Sequence, residues 1–432
     1  MSARFLQIHT LTSYPASLLN RDDAGFAKRM PFGGAVRTRI SSQCLKSHWR
    51  AFDGENSLDT IRAPESIRSR VSFEVHIVKP LVDQDGVPKD IALAAAEKII
   101  GKVFGGEAKK EKAEKNKGRR KPQTAPATVG VGGGDTAVPA AAATPDNTST
   151  PAEPLTSDAA KTAQVTVLGQ PELDYLLQIA REAIKTAGNN VAKMEKAIDD
   201  RLGDKDMKKN IKALRPGSLS AGLGAALFGR MVTGDILTRT DAAIHVAHAL
   251  TVHSQMTESD YFSAIDDLIR EDGEQESGHI NASELTSGLF YGYVVVDING
   301  LVQNLGGDRK LAADVVEKLI HIVAKVSPGA KLGSTAPYAY SHFVLAESGN
   351  AQPRTLQNAF LDPVRTQGNI VWNAEQALAK HLLELDEMYG KSESRSHAGL
   401  GETDKLFEGK TNLAKLAEWA KQQITGKNQP GI

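Results

Sequence analysis

One cysteine in 432 residues, Cys44, excludes an internal disulfide and places the chain in a reducing compartment. No excess charge of one sign exists either, since 52 Lys+Arg balance 52 Asp+Glu. A protein that holds nucleic acid by being basic all over is thereby excluded, as is one dominated by a supercharged tail. No apolar run reaches membrane-spanning length, and the first residues lack the apolar region of a secretion signal. The expectation is a soluble, cytoplasmic protein with no membrane partner. What is present is a globular composition, 41% hydrophobic and 24% charged. The chain also exceeds the roughly 250–300 residues at which a single core stops growing, so cooperating units are expected.

Charge is unevenly placed. Residues 1–50 carry Arg4, Arg21, Lys28, Arg29, Arg37, Arg39, Lys46 and Arg50 against only Asp22 and Asp23, whereas acids gather in 260–276. A neutral total with one basic region suits binding of an anion on one face. Residues 105–165 break the chain: solvated charge at 107–121 gives way to Pro-punctuated Ala, Thr and Gly. Such a stretch buries too little apolar area to offset its ordering entropy. It is expected to be a disordered, low-complexity insertion and a linker rather than an RNA-binding arm.

Periodicity predicts a strand at 5–11, a helix at 41–52 and an ambiguous segment at 71–78. Helices are expected where Leu173, Leu176, Leu177, Ala180 and Ile184 recur, and again at Val191, Met194 and Ile198. Residues 289–298 form the most strand-like run. A helix carrying Leu311, Val315, Leu319, Ile322 and Val326 follows, then a strand at 338–346 and a helix at 412–424 capped by Thr411. Strand–helix units far apart in sequence, each landing on strands, imply an α+β, ferredoxin-like split βαβ sheet with a large helical insertion.

Residues 20–50 are richest in candidate chemistry. Ser41 or Ser42 as a helix cap leaves backbone N–H groups and a positive dipole end suited to phosphate. Gln43, Lys46 and Arg50 then share one helix face, and Leu45, Trp49 and Phe52 another. Arg37 and Arg39 point the same way if the approach is extended, and Gly33-Gly34 would let the backbone come close to a ligand. Alone, this pattern fits phosphate contact and an ordinary solvated face equally. His245, His248 and His253, read as helical, raise a metal or acid–base role, but no carboxylate or cysteine completes a site, so packed histidines are favoured. Asp22-Asp23 and Asp266-Asp267 read as one structural and one exposed acid per pair, and Cys44 as a small helix residue. Tyr291-Gly-Tyr293 only partly echoes an RNA-recognition strand, which favours a buried central strand over base stacking. Residues 331–335 lack P-loop spacing, so nucleotide hydrolysis has no support.

Several of these runs, in order, resemble the CasC family, the backbone subunits of the type I-E CRISPR surveillance complex Cascade. They are Leu19-Asn-Arg-Asp-Asp23, Phe32-Gly-Gly, Arg37-Thr-Arg-Ile-Ser-Ser-Gln-Cys-Leu-Lys46, Ala226-Leu-Phe-Gly-Arg-Met231, residues 241–253, Tyr261-Phe-Ser-Ala-Ile-Asp-Asp-Leu268, Ser287-Gly-Leu-Phe-Tyr291, Asn304-Leu-Gly-Gly307 and Pro328-Gly-Ala-Lys331. The departure is 105–165. The resemblance implies a modified RNA-recognition palm (1–60 and 215–432), a helical finger region (61–104 and 166–214) and a thumb at about 249–286, reached through a helix bearing the three histidines. It implies copies, typically six, stacked head to tail along CRISPR guide RNA, with other Cascade subunits and with target DNA engaged through the guide. Identical copies cannot read a variable spacer by base edges, so contacts go to phosphate, sugar and shape. The resemblance assigns RNA contact to Ser41, Ser42, Gln43, Lys46 and Arg50, flanked by Asn20, Arg21, Arg37 and Arg39. It places Met231 against a displaced base and Ser334 and Thr335 on the opposite wall. No cofactor, metal or catalysis is expected. The alternative is a metal-dependent ribonuclease of the same superfamily, for which Asp22 and His253 are the groups to test; a filament protein unrelated to nucleic acid is a weaker third.

Overall fold

The computed structural model describes residues 3–104, 160–162, 164–188, 190–203, 207–231, 237, 239–263 and 280–426. The expected insertion, except for a few residues at its C-terminal edge, lies outside them, as do Asp266, Asp267 and the middle of the expected thumb. Two compact units divide the chain: Met1–Ala63 with Ala226–Gly229 and Asp241–Ile432, and Pro64–Ala225 with Arg230–Thr240.

In chain order the strands are β1 (Phe5–Ser17), β2 (Arg29–Phe32), β3 (Ala35–Ile40), β4 (Ser66–Ser69), β5 (Thr166–Gly169), β6 (Ile244–Val246), β7 (Ala249–Thr251), β8 (Thr257–Ser263), β9 (Ile280–Asp297), β10 (Ser341–Gly349), β11 (Ser394–Gly399) and β12 (Lys410–Thr411). The first unit is built on one sheet in the order β12-β11-β10-β1-β9-β7-β3-β2, with β6 and β8 also paired to β9. β1 lies antiparallel between β9 and β10, and the helix Arg309–Lys325 connects those two neighbours. The helix Ser42–Ala51 follows β1 in the same way on the path toward β6 and β7. This is the α+β, split βαβ arrangement of a ferredoxin-like, RNA-recognition-type sheet.

β1 runs well beyond the expected residue 11 because its polar positions are also satisfied inside. Thr10 and Thr12 are buried, and the hydroxyls of Thr12 and Ser341 are 2.8 Å apart. Leu11 sits opposite Tyr291 on one side and Phe343 on the other. The face they share is covered by Leu356, Phe360 and the helix Ile370–Tyr389, through Ala374, Leu378 and Leu382. An RNA-recognition sheet would stack bases on this face; here it is a core. Tyr291 is 1% exposed, its hydroxyl 2.8 Å from His9 Nδ1 and accepting the Leu356 N–H at 2.9 Å. On the far side of His9 lies Glu347, which also receives Arg354 and Arg395. Burial alone would raise the Glu347 carboxyl, but hydrogen bonding from His9 and then Arg354 holds it below the usual carboxylate range.

Three expectations need correction. Residues 244–251 form β6 and β7 rather than a helix: Ile244 and Val246 pair with Val296 and Val294 of β9, so β-branched neighbours and sheet pairing override the helical spacing. The strand expected from 338 begins at Ser341, because Pro337 and the turn before it keep Tyr338 to Tyr340 out of the ladder. The C-terminal helix Leu413–Thr425 is capped by Asn412, whose Oδ1 accepts the Lys415 N–H at 2.9 Å, and not by Thr411, which lies in β12 opposite Ala398 of β11.

The second unit is helical around a short β4–β5 ribbon. Residues 71–78 resolve as helical, ending in a wide turn over Glu74–Val78 that places Phe73, Ile77 and Leu81 in one core with Ile99, Leu173, Leu176 and Ile198. Glu172 stands at the third position of the helix Gln170–Ala187, accepts the Gly169 N–H at 3.2 Å, and forks with Arg230. Both charged side chains are almost wholly buried, so removal of either partner leaves an uncompensated charge inside. Among the described residues no helix is long and apolar enough to cross a membrane.

Candidate nucleic-acid interface

The helix Ser42–Ala51 forms for legible reasons. Ser41 has extended dihedrals and its Oγ accepts the Cys44 N–H at 3.2 Å, relieving one of the donors that a first turn leaves over. Ser42, Leu45 and Trp49 are buried and fix the inner face, while Gln43 is exposed and Lys46 and Arg50 are half-buried on the outer one. Asn20 holds the entry: its Oδ1 accepts the Ser41 N–H at 2.9 Å. Arg50 places its guanidinium carbon 5.8 Å from the Phe228 ring centre, a cation–π distance that positions the charge without removing it.

Two loops of the same unit reach this helix. After Asn20, Arg21 is exposed and bridges to Ala27, closing a turn in which Asp22 Oδ1 accepts the Ala24 and Phe26 N–H groups at 3.0 and 2.9 Å. Asp22 is therefore the acid that closes the turn, but it is exposed like Asp23, so the pair does not divide into one buried and one exposed acid. The second loop follows the helix Arg309–Lys325. Ala330 donates its N–H to Leu18 O at 2.9 Å, and His48 Nε2 lies 3.3 Å from both the N and the O of Gly329. Ser334 and Thr335 sit in this loop, their hydroxyls donating to Lys331 O at 3.2 Å and Ala330 O at 3.0 Å.

Asn20, Arg21, Ser41, Ser42, Gln43, Lys46, Arg50, Ser334 and Thr335 thus belong to one helix and the segments tied to it. Arg39 is half-buried on β3, its Nη1 3.0 Å from His248 Nδ1. Met231 belongs to the second unit, directly after the anchored Arg230, and is 92% exposed.

Arg37 is a correction. It is fully buried, and its guanidinium donates to the carbonyls of Phe32 at 3.2 Å, Thr251 at 3.0 Å and Phe360 at 2.7 Å. Alternation along β3 places Arg37 and Arg39 on one side of a strand, but that side is covered at Arg37 by the Phe360–Leu361 turn. Gly33 explains how: at φ 58° it lets the backbone approach Leu361 so closely that a Cβ would lie 1.7 Å from the Leu361 carbonyl oxygen. The close approach expected at Gly33 is made by the chain to itself.

Burial shifts the titration of Cys44 and His253. Cys44 is a thiol at neutral pH, burial pushing it up to about 11 against the pull of Lys28. His253 is 1% exposed, with Nδ1 2.7 Å from Ser254 O and Nε2 accepting the Leu289 N–H at 3.1 Å, and burial holds its pKa down. His245 instead contacts Ala242 O, so the three histidines meet three different partners. Among the described residues, no group of three or more His, Cys, Asp or Glu side chains is arranged to hold a metal ion.

Sequence reasoning missed two features. Glu284 on β9 accepts the Ala27 N–H at 2.7 Å, and its two carboxylate oxygens both accept from Arg29 Nη2, at 2.8 and 3.0 Å, which fixes the basic turn and neutralises one of its cations. No local pattern announces a pairing across more than 250 residues. The exposed Tyr338 and Tyr340 fall inside the strand expected from 338, although the flanking Pro328-Gly329 and Pro337 signal a loop.

A family described as CT1975-like protein matches residues 6–422. No curated protein matches the chain. Solved structures share its fold, among them these two. One, a chain of a "CRISPR RNA-guided surveillance complex, pre-nicking", is 22% identical with a TM-score of 0.70, covering 96% of this chain and 100% of that one. The other, from a "CRISPR RNA-guided surveillance complex", is 20% identical with a TM-score of 0.62, covering 96% and 99%.

Proposed function

Because the chain belongs to the CT1975-like (Cas) family, we propose that it is a non-catalytic scaffold subunit that binds CRISPR guide RNA. In this reading it assembles head to tail with copies of itself and with other subunits in a type I-E Cascade-like complex, and presents the spacer for pairing with target DNA. The observation that carries the reading is the outer face of Ser42–Ala51, where Gln43, Lys46 and Arg50 stand on a serine-capped helix next to Arg21 and the Ser334–Thr335 turn. Its donors suit phosphate and sugar, which carry no sequence, and a scaffold for variable spacers needs that indifference. The covered sheet face supports the same view, since Tyr291 lies in the core and is closed to base stacking. Met231, exposed in the second unit, is an apolar side chain of the kind that wedges against an unstacked base.

Purification of the full chain from cells that transcribe a CRISPR array tests the reading. Co-purified RNA of uniform length, intact after incubation with magnesium, is the expected result. Absence of RNA would remove the scaffold role. Cleavage abolished by Asp22→Ala or His253→Ala would replace it with the ribonuclease.

A further inference from the structure

We propose that Tyr338 and Tyr340 form a stacking step for the bases of single-stranded RNA lying on the helix Ser42–Ala51, an inference that rests on the RNA-binding function proposed above. Both rings are displayed to solvent, Tyr338 71% and Tyr340 69% exposed, on a loop that is otherwise tightly fixed. Ser327 Oγ donates to Ala339 O and accepts the Ala339 N–H, both at 2.8 Å, which clamps the loop between the two tyrosines. Pro337 is buried where a side chain on Gly329 would stand, its Cγ 2.4 Å from that position. Lys331 and Ala336 hold left-handed dihedrals, φ 52° and 36°, without being glycine. Such conformations persist only where the surroundings over-determine them, and they concentrate at functional sites. The loop is thus built into one shape, and that shape turns two aromatic rings outward.

Chemistry selects the occupant. The Lys325 ammonium stands 5.9 Å from the Tyr340 ring centre, so one side of the step is cationic while the rest is aromatic. Ala330 and Gly329 tie the loop to Leu18 and His48, which places the step beside the helix carrying Lys46 and Arg50. Cations that meet phosphate, interleaved with rings that meet bases, are the pattern of sequence-tolerant single-strand binding, because every base has a π-face. The helix face then supplies the salt-dependent part of affinity, and the tyrosine step a salt-independent part.

The test titrates the full chain against a labelled oligouridylate and against an oligomer of equal length whose central stretch is abasic. Tyr338→Ala and Tyr340→Ala together are expected to weaken binding of the base-bearing RNA by about 5- to 100-fold. The same variant should leave abasic RNA binding and the salt slope unchanged, and Tyr338→Phe with Tyr340→Phe should bind as the parent does. Equal loss on both RNAs, or no loss on either while the parent binds, would overturn the step and leave the scaffold reading standing. Loss of self-association with RNA affinity intact would assign the tyrosines to a protein partner and overturn it as well. A parent chain that binds neither RNA would bring down the scaffold reading and this inference together.

Discussion

Arg37 shows how a side chain's chemistry depends on what its neighbours do with it. Its guanidinium is consumed by carbonyls of β2, β7 and the Phe360–Leu361 turn. Arg37→Met should therefore destabilise the protein by about 3 kcal/mol, since buried acceptors lose a charged donor. A thermal melt checks the loss, and RNA bound by the folded fraction should keep the parent's salt slope. Glu375 makes an opposite case. It is 3% exposed, its Oε1 has no hydrogen-bond partner among the described residues, and burial pushes its carboxyl up to about 7 although Lys410 pulls it down. Its folded pKa exceeds the unfolded one, so the stability it permits is fully present below about pH 4.5 and is lost as pH rises through 7. Glu375→Gln should raise stability at pH 8 by about 1–3 kcal/mol and change little at pH 4; melts at the two pH values read the difference.

At the scale of elements, the helix Ser42–Ala51 is legible in the sequence because its cap, its buried stripe and its polar face are all local. Ser41→Ala should cost about 1 kcal/mol of stability, read in a melt, because the Cys44 N–H loses its acceptor while the Asn20 contact to the backbone N–H of residue 41 survives. The helix Arg309–Lys325 is legible for the same reason. The segment around His245–His253 is not, because its helical spacing is outweighed by pairing with β9, which lies some fifty residues away in sequence. The second half of β1 is hidden by its hydroxyls, whose burial depends on partners in β10. On the candidate site, residue types and spacing carry the helix face and the Asn20 entry. They do not carry the burial of Arg37 or the Arg29–Glu284 ion pair, each of which is set by neighbours far along the chain.

For the molecule as a whole, the balance of 52 cations against 52 anions acquires a physical meaning. The basic excess of residues 1–50 is partly used inside the fold: Arg37 is buried, Arg29 is neutralised by Glu284, and Arg39 stands against His248. What faces outward is a local patch on a neutral body. Copies lined up along one RNA would repel one another if each were uniformly positive, so local charge on a balanced chain suits a scaffold. The most direct test is the affinity of the full chain and of Lys46→Ala with Arg50→Ala for two single-stranded RNAs of unrelated sequence, across about 50–200 mM salt. Equal affinities for the two sequences and a steep fall with salt are expected. In the double variant the slope of log affinity against log salt should be shallower by about 0.7 for each phosphate no longer neutralised. A strong preference for one sequence, or a slope untouched by the double substitution, would contradict the scaffold reading.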